Sequence, residues 1–543
     1  MENQVVDRKN VIYSALFLLL LAVILILLYH CMPLGFVFDD AGVKYIQMKS
    51  FCINNWQSIS LEYPAKDLDP TLSFIGRHMK WLIHDGKFIS SYQSLFPYMT
   101  SFLYPFLGER CVFFFPLLAF WLAAFFFYKI TRIIVPKHSF FLTLLFVCAN
   151  PLCLYAVLFW EHMLAVTLVV VGLYFFVRFL YDTEEKLNYL AIGSFYLAMS
   201  IFFRVECYGL LISFIGTLTC IYAFKGKWKR VCAILGGSGV GVALHTIANY
   251  LLYGVILKVP FFDRITRPMM PSAIWITITV FLVLSFSLIT YYRNRDNKKS
   301  LYLLLVFVWI GYILPFLTKS IIDRFLIEFP LFLFSLWFIF ENKKDDTYAG
   351  KYKIRALTQF ILIVCVVFIT LLGILFYGNT HIDIRFLLPL IPFVLVLISM
   401  RFEEIITQKR IFLVFAFLCI VTMGCIMWRV NRETLYYKNL NTQRVEFLEK
   451  HTKQNDIIVF QFNPLLEHVA QKYFDRMMLI ARNEDEWKEL LVRFDENGVD
   501  TFYFWVLSYR IPINPKEHQG MYVVVETNTF ANTTFYKFSR VDA

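Results

Sequence analysis

Residues 11–30, VIYSALFLLLLAVILILLYH, hold no Asp, Glu, Lys or Arg over twenty positions. A run of that length is what a helix needs to cross hydrocarbon, where the backbone has only itself to hydrogen-bond to. Comparable runs recur at 112–134, 139–159, 163–181, 188–203, 207–224, 231–252, 273–292, 301–318, 325–340, 356–377, 386–400 and 411–428. The chain therefore reads as a polytopic α-helical membrane protein of about thirteen spans. Composition agrees, with 59% hydrophobic and 17% charged residues against about 25% charged in soluble domains. Arg8 and Lys9 flank the first run and no small-residue cleavage site follows it, so it reads as a retained span.

The net charge of +12 is not the mark of a nucleic-acid binder, because the basic residues fall in short clusters between apolar runs. KGKWKR (225–230), RNRDNKK (293–299), the 341–355 loop and RFEEIITQKR (401–410) alternate with loops poorer in Lys and Arg. The basic set belongs in the cytoplasm. The N-terminus is then cytoplasmic and the tail extracytoplasmic, in a membrane expected to be the bacterial inner one. A reporter active only outside the cytoplasm is expected to work after Ala543 and to fail within 293–300 or 341–355. Activity at 293–300 would overturn the span count.

The membrane module is expected over 1–428, with a first outer loop at 31–111 carrying amphipathic helices. Residues 429–543 are expected to form a small extracytoplasmic α/β domain. In that tail, strands are expected at DIIVFQF (456–462), RMMLIA, VDTFYFWVLS, MYVVVE (521–526) and TTFYKFSRV (533–541), with helices at LLEHVAQKYF and EDEWKELLVRFDENG. The eleven cysteines show no CxxC and no Cys/His ligand spacing, so no structural zinc is expected; a Cys52–Cys111 bridge has no support beyond position. GGSGVG (236–241) lacks the Lys of a phosphate loop and sits inside a span, where small residues let helices approach.

Ionisable residues gather at the outer ends of the spans. Asp39 and Asp40 follow the first; Glu161 and His162 occupy the turn before the fourth; Arg204 and Glu206 separate the fifth and sixth. His245 and Asn249 lie in the seventh. Asp263, Arg264 and Arg267, then Lys319, Asp323 and Arg324, then His381, Asp383 and Arg385 occupy later outer loops. Taken singly, each could be an ordinary charge at a span end, and the acidic pair could simply cap a helix. Together, carboxylates that can accept a hydroxyl proton and cations that can hold phosphate suit a substrate with both groups.

Five segments in order carry a family resemblance: FDDAGVKYIQMKSF (38–51), GKFISSYQSLFPYMTSFLYPFLGE (86–109), FWEHMLAVTL (159–168), FFRVECYGLL (202–211) and HIDIRFLLPLIPFVLVLIS (381–399). The chain resembles membrane glycosyltransferases of the GT-C superfamily, which include protein O-mannosyltransferases and lipid A aminoarabinose transferases. Asp-Asp stands where Asp-Glu is commoner in that family. The resemblance implies an inverting transfer of sugar from a polyprenyl-phosphate donor to a hydroxyl of a glycan, lipid or protein acceptor at the outer membrane face. It makes Asp39 the general base, with Asp40 and Glu161 assisting. Arg204, Arg385 and some of Arg264, Arg267, Lys319 and Arg324 would hold the phosphate, with His162, Glu206, His381 and Asp383 also lining the substrate site. No cofactor is required and no metal site is assigned; a divalent cation on Asp39, Asp40 and Glu161 is the minor alternative. A transporter or flippase of a lipid-linked anion, or a related polysaccharide polymerase or ligase, could use the same groups.

Overall fold

In the computed structural model, residues 2–75, 81–84, 87–182, 184–254, 384–507, 513 and 521–541 are described, with scattered positions between 357 and 368. The expected spans 273–292, 301–318 and 325–340, and most of 356–377, lie outside them. The chain divides into two compact units, Met1–Leu28 with Phe115–Trp428, and Tyr29–Phe114 with Arg429–Ala543.

The described part of the first unit is helical. Among the described residues, six helices are long and apolar enough to cross a membrane: Ile12–Cys31, Tyr104–Ile134, His162–Tyr181, Glu206–Phe224, Trp228–Tyr253 and Lys409–His451. The protein is a polytopic integral membrane protein. Three expected spans are shorter or broken. Residues 139–159 form Ser139–Cys148 and Leu152–Tyr155, interrupted where Pro151 cannot donate a helical hydrogen bond. Residues 188–203 end in a 3₁₀ turn, Ser200–Phe202, and 386–400 begin as the 3₁₀ helix Ile384–Leu390.

Helix His162–Tyr181 is buried along most of its length. Its Phe176 meets Phe214 and Phe360 at ring distances of 5.2 and 5.0 Å. The glycines of 236–241 act as spacers. A methyl on Gly237 would stand 2.0 Å from the Ala191 carbonyl oxygen, and one on Gly241 2.6 Å from the Ala198 methyl, whereas Gly236 and Gly239 face open space. Two of the four thus allow helices Leu187–Met199 and Trp228–Tyr253 to touch. Gly237→Leu is expected to destabilise by about 1–3 kcal/mol or more, read as a lower melting temperature in detergent. Gly239→Leu should leave it unchanged, and equal effects would refute the spacer role.

The second unit joins the loop after the first span to the tail. The loop supplies helix Asp39–Ile53, the hairpin β1 (Trp81–His84) and β2 (Lys87–Ser90), and helices Leu95–Ser101 and Tyr104–Leu107. The tail supplies helix Tyr436–His451 and strands β3 (Ile457–Phe460), β4 (Met477–Ile480), β5 (Thr501–Leu507), β6 (Tyr522–Phe530) and β7 (Thr533–Arg540). They form one sheet in the order β4-β3-β5-β7-β6, in which β3 is parallel to β4 and β5 while β7 is antiparallel to β5 and β6. Helix Glu484–Glu496 packs its Trp487 on Phe504, at 4.4 Å between rings, and on Phe502 and Phe538. Asn483 caps that helix by accepting from the Glu486 amide. All eleven cysteines, Cys52 and Cys111 included, are free thiols.

Candidate active site

Helix Asp39–Ile53 does not begin as the capping reading expects. Phe38 holds the cap position with extended backbone, and Asp39 and Asp40 fill the first turn behind it. There their charge favours the helix dipole, while their oxygens serve other partners. Asp39 Oδ1 lies 3.1 Å from His468 Nε2, with the Asp39 side chain one-third exposed. Asp40 Oδ1 accepts from the Tyr92 hydroxyl, and the Tyr92 ring lies 4.9 Å from the Lys44 ammonium.

The helix is also less amphipathic than its sequence suggests. Ten of its residues are buried, Lys44 and Gln47 among them. Gln47 donates to Ser94 at 2.7 Å and Tyr45 to Glu109 at 3.0 Å. Burial, reinforced by Glu109, holds the Tyr45 phenol well above its ordinary pKa, so it remains a donor.

The tail fixes the segment leading into this helix. Lys438 Nζ donates to the carbonyls of Pro33 and Gly35 at 3.3 and 3.5 Å, Gln471 to Leu34 at 3.0 Å, and Asn441 to Phe36. The Gly35 amide donates to Thr442 Oγ1 at 3.0 Å. Glycine is required at two close approaches. A methyl on Gly35 would stand 2.0 Å from the Lys438 carbonyl oxygen, and one on Gly42 1.9 Å from that of Glu467.

A second cluster belongs to the helical unit. Arg204 donates through Nε to Glu206 at 2.7 Å and through Nη1 to Glu161 at 2.9 Å. All three are well buried, their side chains 12%, 1% and 6% exposed respectively. The expected phosphate-holding arginine is thus bonded to two carboxylates. Arg385 lies over the rings of Trp160 and Phe386 at 5.6 and 5.3 Å, and Arg204 lies over the same Phe386 ring at 5.7 Å. His162 is buried between Tyr155 and Trp160, at ring distances of 5.3 and 4.9 Å. His245 is a buried residue of the helix interior, its Nδ1 3.0 Å from the Tyr208 hydroxyl and 3.3 Å from Asn249. Arg264, Arg267, Lys319, Arg324, His381 and Asp383, with Asp263 and Asp323, lie outside the described residues.

The chain is similar to several solved structures. One is ArnT from Cupriavidus metallidurans bound to undecaprenyl phosphate, at 11% identity and a TM-score of 0.44, covering 96% of this chain and 98% of that one. ArnT in the apo state gives 12% identity and a TM-score of 0.47 over the same shares. The archaeal oligosaccharyltransferase AglB from Archaeoglobus fulgidus, in complex with an inhibitory peptide and a dolichol-phosphate, gives 10% identity and 0.44, covering 91% of this chain and 70% of that one. No family model and no curated protein matches the sequence.

His468 and Tyr92 are the partners of the acidic pair that sequence reasoning missed. His468 falls within LLEHVAQKYF, which reads only as a scaffold helix, and nothing local marks it as facing a carboxylate more than four hundred residues away. Tyr92 is one of 31 tyrosines and carries no signal of its own.

Proposed function

We propose that the protein is an inverting glycosyltransferase that moves a sugar from a polyprenyl-phosphate-linked donor to an acceptor hydroxyl at the outer face of the membrane. The observation that carries this reading is the Asp39 carboxylate. It stands in the first turn of a largely buried helix, with one oxygen held by His468 and the side chain one-third exposed. A carboxylate so held suits a general base.

In the proposed step the acceptor hydroxyl gives its proton to Asp39 while its oxygen bonds to the anomeric carbon. The bond from that carbon to the phosphate oxygen breaks, its electron pair leaves with polyprenyl phosphate, and the configuration inverts. The leaving group is already a stable anion, so cations that meet its growing charge suffice. We assign that task to Arg385 and to some of Arg264, Arg267, Lys319 and Arg324. Arg204, engaged with Glu161 and Glu206, instead holds those acids in place, and Asp40 and Glu161 orient the acceptor. The tail is assigned to the extracytoplasmic side.

Purified protein incubated with a panel of radiolabelled polyprenyl-phosphate sugars is expected to consume one of them and release polyprenyl phosphate. Movement of label across a vesicle membrane with no bond broken would replace this reading with a transporter. Arg385→Ala is expected to weaken donor binding by about 1.5–3 kcal/mol. Arg385→Lys should restore it only in part, because the planar fork is lost. Unchanged donor affinity in both variants would remove Arg385 from the phosphate site.

A further inference from the structure

We infer that His468 is the positioning residue for Asp39, holding the carboxylate in its working orientation through an Nε2–H donor. The inference rests on the reading of Asp39 as the base.

The hydrogen bonds around the ring fix its tautomer. Arg444 Nη1 lies 3.2 Å from His468 Nδ1, and Arg444 is itself buried and donates to Asn441 Oδ1 at 2.8 Å. A guanidinium can only donate, so Nδ1 is the acceptor and the ring hydrogen sits on Nε2. That nitrogen faces Asp39 Oδ1 at 3.1 Å. The series Arg444, His468, Asp39 therefore runs in one direction and ends on the carboxylate. A lysine in this place would pair with the anion and blunt it as a base. A neutral N–H orients it with less loss of proton affinity.

The backbone makes the contact rigid. Glu467, the neighbour of His468, abuts Gly42 so closely that a methyl there would stand 1.9 Å from its carbonyl oxygen. Gly42 lies one helical turn beyond Asp39, so the two short segments meet main chain to main chain at the carboxylate. Asn441 belongs to the same arrangement, since it accepts from Arg444 and also donates to the Phe36 carbonyl, three residues before Asp39. The tail thus places both the backbone entering the helix and the first carboxylate on it.

The test uses the full-length protein and three substitutions. His468→Gln keeps an N–H donor near the position of Nε2, His468→Phe keeps the ring shape without a donor, and His468→Ala removes both. With the radiolabelled donor that turns over in the panel, His468→Phe and His468→Ala are expected to lower kcat about 10–100-fold, as expected for a misplaced reacting group. KM for the donor should be unchanged, and His468→Gln should recover most of the loss. Equal loss in the Gln and Phe variants at unchanged melting temperature would overturn the inference, as would wild-type kcat in the Phe and Ala variants while Asp39→Asn is inactive. Full activity in Asp39→Asn would instead overturn the reading of the base. A second measurement needs no substrate. Imidazole ¹⁵N resonances, with His468 assigned by its loss in His468→Gln, should report the Nε2–H tautomer, and Asp39→Ala should shift the Nε2 proton upfield. The opposite tautomer, or no shift, would overturn the inference.

Discussion

Asp39→Asn is expected to lower sugar transfer by about 10²–10⁴ while leaving donor binding and folding nearly intact. The substitution is close to isosteric, and the amide oxygen can still accept from His468 Nε2–H, so orientation survives. The lost charge sits in the first turn behind Phe38, where the dipole interaction is worth about 0.3–1 kcal/mol. An amide cannot take up the acceptor proton, and that is the main expected defect. Asp40→Asn should be milder, because Asp40 already accepts from Tyr92 and the asparagine oxygen can do the same. A reversed order would move the base to Asp40. Donor consumption, donor binding and a melting curve, measured on each variant and on the double variant, separate the cases. Near-wild-type turnover in all three would end the catalytic assignment.

Arg204→Ala is expected to cost about 3–5 kcal/mol of stability, because it leaves Glu161 and Glu206 buried without their shared cation. The loss should appear first as a lower melting temperature and only through it as lower activity. Adding Glu206→Gln should recover part of it, since one carboxylate then no longer needs a counter-charge. Arg204→Lys should fall between, as one ammonium cannot reproduce separate Nε and Nη1 bonds to two acids. A variant that melts as the wild type does but fails to bind donor would return Arg204 to the phosphate site.

The parts of this structure legible in the sequence are those set by short-range pattern. The apolar runs at 207–224 and 231–252 are helices Glu206–Phe224 and Trp228–Tyr253, because length and hydropathy alone decide such segments. DIIVFQF and VDTFYFWVLS contain β3 and β5, because β-branched and aromatic runs of that length suit buried parallel strands. The pairing of Arg204 with Glu206, two residues apart, was legible too, whereas that Glu161 of another turn joins them was not. A sequence gives the cation and both acids but no distances, so the two bonds that Arg204 makes to them had to come from the structure. Least legible was the union of the loop after the first span with the tail. Lys438, Asn441 and Gln471 read as ordinary polar residues of helical segments, and their partners are backbone carbonyls, which leave no trace in side-chain pattern.

That union has a consequence for biosynthesis. The donor that holds the Phe36 carbonyl lies 405 residues downstream of it, and at about 5–20 residues per second the ribosome needs roughly 20–80 s to reach it. Throughout that interval helix Asp39–Ile53 and its partners Ser94 and Glu109 are already made, yet the tail residues that hold the segment leading into it do not exist. A chain that stalls after its membrane helices but before residue 441 therefore carries the acidic pair without the tail contacts that set the segment leading into it.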